Sequence, residues 1–149
     1  MVAVDQATKA VVLARLVPGV PVPVIEGFLS LTLVMNPGLA FGLLAGMPAA
    51  WRWAVAGLSV LALLALARVA VRLLDEGGRR QVLAVGLVFG GAVGNLIDRA
   101  RFGAVVDFVD VFYGRFHWWA FNVADSAITV GVGLMLLQML APSRGRPGA

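Results

Sequence analysis

"FNVADSAITVGVGLMLLQML", residues 121–140, decides how the rest of the chain is read. Phe121, Val123, Ala124, Ala127, Ile128 and Val130 open an apolar run. It is about as long as the roughly 20 residues a helix needs to cross a bilayer. Asp125 sits inside that run. A carboxylate near the bilayer centre costs on the order of 3 kcal/mol on insertion scales. Either a partner offsets that cost or the group has a task.

The whole chain carries the same signature. Of its 149 residues, 60% are hydrophobic, and the mean hydropathy is +0.92. A soluble domain would be nearer about half apolar. The composition calls for an all-α membrane protein, long enough for one domain of about four spans at roughly 20 residues each. There is no cysteine and His117 is the only histidine. Disulfides, thiolate sites, thiol nucleophiles and multi-histidine metal sites are therefore excluded. The net charge is +4, but most arginines flank apolar segments. That placement fits membrane orientation and not nucleic-acid binding.

Three further apolar segments precede residues 121–140. The first, residues 1–17, is short, carries Asp5, Lys9 and Arg15, and ends at Pro18. Those charges interrupt any signal-peptide core, so it reads as a retained helix. The second runs from about Trp51 to Leu74, with Trp51 and Trp53 as interfacial anchors. The third runs from about Gln81 to Ile97. Arg68, Arg72, Arg79 and Arg80 cluster between these two, and Arg144 and Arg146 follow the fourth. The positive-inside rule puts both clusters, and with four spans both termini, in the cytoplasm. Residues 18–50 and 98–120 then face outward. In "FLSLTLVMN" (28–36), Leu29, Leu31 and Leu33 alternate with Ser30 and Thr32, a strand signature. "VPVPVIEG" before it is extended, and "GAVVDFVDV" (103–111) is a second strand candidate. A small extracytoplasmic sheet is expected, mainly from 18–50 and 102–112. The tail 142–149 reads as disordered. No internal repeat is present, which disfavours an inverted-repeat transporter.

Polar residues gather toward the outer helix ends. Asn95, Asp98 and Arg99 share a helical face, as do Asn122, Asp125 and Thr129. Asp5 and Lys9 form an i,i+4 pair, read as structural. Asp98 is expected to pair with Arg99 or Arg101. Gly90 and Gly94 form a GxxxG for close helix approach. Asn36, Pro37 and Gly38 are turn formers. Trp118 and Trp119 read as interfacial belt residues, His117 as a surface residue and Asp110 as a solvated loop acid. Asp125 and Asp107 resist such readings. Arg99 is an available counter-ion for Asp125. The alternative is two carboxylates at one site, which cannot both ionise easily, so that one keeps a proton. Such a pair can activate water for attack on an amide.

With these pieces in order, the chain resembles lipoprotein signal peptidase (signal peptidase II), an intramembrane aspartic protease family of bacteria. "DQATK" (5–9), "NPGLAFG" (36–42), "GNLIDRARFGAVVDF" (94–108) and "FNVADSAITVG" (121–131) resemble its four motifs. The resemblance implies a catalytic pair, Asp107 and Asp125. It implies that Asn36, Gly38, Asn95, Arg99 and Asn122 line the site and hold substrate, with Asp5 and Lys9 in support. It implies four transmembrane helices with an outer β-cradle, in the bacterial inner membrane, with the site on the extracytoplasmic side. The substrate would be a prolipoprotein cut just before a diacylglyceryl-modified cysteine. No metal or cofactor is implied, globomycin-type inhibition is expected, and the only partners are the precursor and membrane lipid. A monomer is expected. Leu39 stands where the family usually has alanine. Only Met1 to Val4 precede Asp5, so the native start is expected upstream. The same acids could line a proton or cation pathway, or the chain could be a structural adaptor. Neither accounts for "NPGLAFG" or for the polar clustering at one level.

Overall fold

The computed structural model describes residues 1–38, 51–76 and 78–140. Four helices and four strands run in the order α1 (Val2–Arg15), β1 (Val22–Ile25), β2 (Leu29–Asn36), α2 (Trp51–Glu76), α3 (Arg79–Phe102), β3 (Val105–Tyr113), β4 (Phe116–His117) and α4 (Val123–Leu140). The four apolar segments are the four helices. Residues 39–50 of the expected cradle, including Leu39, and the tail 142–149 lie outside the described residues. Among the described residues, α3 is long and apolar enough to cross a membrane by length and composition, and Trp53–Arg68 and Val123–Gln138 are shorter apolar stretches.

The third helix outruns its expected end at Ile97 by a full turn and more. Asp98 looked like a boundary because hydropathy falls there. It stays helical because its carboxylate is buried and paired. Arg99 and Arg101 sit in the last turn, where positive charge favours the helix dipole. Gly103, at φ 66°, closes the helix by turning its N–H back to the Arg99 carbonyl, in a left-handed conformation that glycine takes without cost.

The strands form one antiparallel sheet in the order β1-β2-β3-β4. β4 was not anticipated; two residues leave no periodicity to read. In β2 the expected alternation breaks down. Ser30 and Leu33 are the buried residues, three apart, because the register with β3 shifts between Leu31 and Val34. An extra residue at a bulge moves the following side chains to the other face. Beyond the bulge, Val34 pairs with Asp107 and Asn36 with Val105. Phe121 then bridges to Val109 through N–H···O bonds of 2.8 and 3.1 Å. This bridge sets the first turn of α4 beside Asp107.

Helix packing relies on glycine where backbones meet. A Cβ at Gly91 would lie 2.5 Å from the Ala124 carbonyl oxygen, and one at Gly131 would lie 2.7 Å from that of Ala84. The GxxxG pair does what its spacing suggests: Gly90 faces Met1 and Gly94 faces the Asp5 carboxylate. Val12, Leu33, Val106 and Phe108 form an apolar core under the sheet. Between the helices Ala84, Val88, Ala124 and Ala127 are buried together with the polar Asp5, Lys9, Asn95, Asp98 and Asn122, while Leu58, Leu61, Leu64, Leu136 and Leu137 are exposed. Buried charges beside exposed leucines are the reverse of a water-soluble arrangement.

One expected pairing and one expected setting are corrected. Asp98 binds Lys9 Nζ at 2.7 Å, not Arg99 or Arg101. Neighbours at i and i+1 or at i and i+3 need not converge when a cation on another helix fits the gap. Arg101 lies over the Phe102 ring and reaches Gln6. Asp110 is not a loop acid but a half-buried β3 residue, and the surface residue His117 bonds it through Nδ1 at 3.0 Å while stacking on Phe112.

Candidate active site

Asp107 enters the site from β3, in a strand of β-branched residues that buries one end against the helices. Its side chain is buried. Asn122 Nδ2 donates to Oδ1 at 2.7 Å, and Asn36 Nδ2 donates to Oδ2 at 3.0 Å. Asn36 ends β2 in the expected turn: its own Oδ1 accepts the Gly38 N–H at 3.0 Å. Arg99 Nη2 then donates to the Gly38 carbonyl at 2.9 Å, which ties this corner to α3.

Asp125 comes from the first turn of α4. Its Oδ1 accepts from Asn95 Nδ2 at 2.8 Å. Its Oδ2 accepts the backbone N–H of Asn122 at 3.1 Å, and Asn122 Oδ1 accepts the N–H of Asp125 at 3.0 Å. The two residues cap the helix reciprocally, three apart, as a capping box does. This local role of Asn122 was missed, although Asn-x-x-Asp before an apolar run is a helix-start signal. Arg99, considered as a counter-ion for Asp125, makes no direct ion pair with it: its hydrogen bonds go to the Gly38 and Asn95 carbonyls, and its charge reaches Asp125 only through space.

Asn122 joins the two acids. Its single side-chain nitrogen faces Asp107 Oδ1, Asn95 Oδ1 and the Val106 carbonyl. Beneath lies Lys9, buried, with Asp5 at 3.0 Å, Asp98 at 2.7 Å and Asn95 Oδ1 at 2.9 Å. Gln6, also unassigned from sequence, bridges Asp5, Asp98 and the Gly94 carbonyl.

Both acids open on a cavity of about 860 Å³. It is lined by the polar Asn36, Asn95, Arg99 and Ser59 and by the aromatic and apolar Trp118, Trp119, Phe121, Ala62 and Val130. Burial pushes the Asp107 carboxyl up to about 7, helped by the negative charge of Asp125, while bonds from Asn36 and Asn122 and the charge of Lys9 oppose the shift. The geometry therefore unites Asp107, Asp125, Asn36, Asn95 and Arg99 at the cavity, bonds Gly38 and Asn122 to them outside its lining, and sets Asp5 and Lys9 behind it. No group of three or more His, Asp and Glu among the described residues is arranged to hold a metal.

A family model described as signal peptidase II matches residues 1–141. This chain belongs to the signal peptidase II family. The family assignment agrees with relatives of known name. The lipoprotein signal peptidase of Desulforapulum autotrophicum is 48% identical over 143 residues, covering 94% of this chain and 86% of that protein. That of Syntrophus aciditrophicus is 42% identical, covering 91% and 84%. The fold matches two bacterial membrane enzymes solved by the in meso method. One superposes with a TM-score of 0.78 at 33% identity, covering 99% of this chain and 88% of that one. The other has a TM-score of 0.69 at 33% identity, covering 95% and 88%.

Proposed function

We propose that this chain is an intramembrane aspartic endopeptidase that removes the signal peptide of prolipoproteins, cutting just before a diacylglyceryl-modified cysteine. The observation that carries this reading is the pair Asp107 and Asp125, joined through Asn122 and open to one cavity. In the proposed reaction Asp125 is ionised, Asp107 holds a proton, and a water lies between them. Asp125 takes a proton from the water as its oxygen attacks the scissile carbonyl carbon. Asp107 gives its proton to the carbonyl oxygen, so no free oxyanion forms. Collapse of the tetrahedral gem-diol breaks the C–N bond, the amine leaves with the proton held by Asp125, and Asp107 regains one from the gem-diol. Both acids return to their starting state. In this reading Asn36, Arg99 and Asn95, which line the cavity, hold the peptide backbone.

Residues 1–149 act as one domain and a monomer in this reading. All four helices span the inner membrane, with the sheet as an extracytoplasmic cradle. The exposed leucines of α2 and α4 face lipid, and the arginines at the end of α2 and the start of α3 stay in the cytoplasm with both termini. Cysteines introduced at Gly78 and Arg115, both exposed, should label from opposite sides. Labelling of position 78 from outside would overturn the orientation.

Purified protein should cut a diacylglyceryl-modified precursor, leave an unmodified one intact, and release a product whose first residue is the lipidated cysteine. Failure to cut the modified precursor, or cleavage at another bond, would refute the activity. The pH dependence follows from Asp107. Its proton is present below about 7 and lost above, so kcat/KM should fall as pH rises through that region. A rate that climbs through the same interval would assign the acid and base roles the other way round.

A further inference from the structure

Lys9 stands behind the reacting groups, yet its contacts are placed with respect to them in a way that a structural ion pair does not require. An ammonium has three donors and no acceptor. Lys9 is buried, and its three acceptors are Asp98 Oδ2, Asn95 Oδ1 and Asp5 Oδ2. Each carboxylate also accepts one backbone N–H. Asp5 Oδ1 takes that of Ala124 at 3.1 Å, the residue just before Asp125. Asp98 Oδ2 takes that of Val106 at 3.1 Å, the residue just before Asp107. The third contact fixes an amide. A flipped Asn95 would turn Nδ2 toward a donor-only ammonium and toward the Asn122 amide. With Oδ1 held by Lys9, Nδ2 must point at Asp125 Oδ1.

Resting on the proposed aspartic mechanism, we infer that Lys9 is a positioning residue that sets the two aspartates against each other: through Asp5 and Asp98 it anchors the backbone before each, and through Asn95 it fixes the hydrogen bond to Asp125. A charge held only for folding would leave the chemical step of a folded variant unaltered. Positioning makes the loss appear in kcat, with the share carried by the third contact passing through Asn95. In purified enzyme acting on the diacylglyceryl precursor, Lys9→Met should lower kcat roughly 10- to 100-fold, the range for losing one bond to a charged group, with KM within about twofold. Asn95→Ala should fall in the same range. In the Asn95→Ala background, Lys9→Met should then cost less than it does in wild type, since residues that share a contact are not additive.

Lys9→Met leaves two buried acids without their cation, which can prevent folding. Asn95→Leu covers that case: it leaves Lys9 with both acids and removes the N–H to Asp125 without adding a charge beside it. It should stay folded and lose kcat to the same extent. Independent, multiplying losses in the Lys9 and Asn95 variants would overturn the inference, as would a loss confined to KM or an unchanged kcat in Asn95→Leu. Failure of the underlying reading looks different. Asp107→Asn would then cut as well as wild type whatever the Lys9 variants do.

Discussion

Asp107→Asn and Asp125→Asn should each bring cleavage of a diacylglyceryl precursor down to background while the protein stays folded. Asparagine keeps the size of aspartate and one accepting oxygen. At position 107 that oxygen can still receive the Asn122 or Asn36 amide; at position 125 it can still take the Asn95 amide or the Asn122 N–H. What vanishes is proton exchange. General acid–base assistance is worth roughly 10²–10⁴-fold for a single group. Here one group activates the water and the other protonates the carbonyl, so neither half of the reaction proceeds without its partner. Initial rates beside melting temperature separate loss of chemistry from loss of fold. A single variant that retains more than a tenth of the wild-type rate would contradict the assigned role of that residue.

Asn122→Ala should be nearly as severe, for two separable reasons. The side chain caps α4 through the Asp125 N–H, and losing such a cap costs about 1 kcal/mol of stability. It also donates to Asp107 at 2.7 Å, which becomes a carboxylate once it has given up its proton, and a bond to a charged group contributes about 1.5–3 kcal/mol. Alanine removes both, so a lower melting temperature and a roughly 10²-fold or greater loss of kcat are expected. Asn122→Ser distinguishes them. Serine is a good N-cap but is too short to reach Asp107 as well. It should recover most of the stability and little of the rate. Recovery of both by serine would mean that Asn122 matters only as a cap.

Much of this arrangement could be read from local sequence. The helices followed from apolar runs, β2 from leucines alternating with Ser30 and Thr32, and β3 from a β-branched run. The gathering of Asn36, Asn95, Asn122, Asp107 and Asp125 followed from their shared level and from the resemblance of four motifs. Three features could not be read that way. The bulge in β2 depends on its pairing with β3, so strict alternation put Ser30 on the wrong face. The partner of Asp98 lies 89 positions away on α1, beyond any i,i+4 argument. Lys9 looked complete with Asp5, and only the packing of α1 on Gly90 and Gly94 brings it to Asn95 and Asp98. The capping box of Asn122 and Asp125 was different. It was legible, but both residues were already being read for chemistry.

The central claim is that Asp107 and Asp125 work as one catalytic unit, and the double variant Asp107→Asn/Asp125→Asn tests it most directly. Its rate should be measured on one lipidated precursor beside both single variants and Asp110→Asn. Asp110 lies on the same strand but bonds to His117 at the sheet edge, so its variant should stay within about threefold of wild type. When two groups serve one step, removing the second costs little once the first is gone. The double variant should therefore be no more than a few-fold slower than either single. Measurable residual rates in both singles, multiplying in the double, would show two independent contributions and contradict the account.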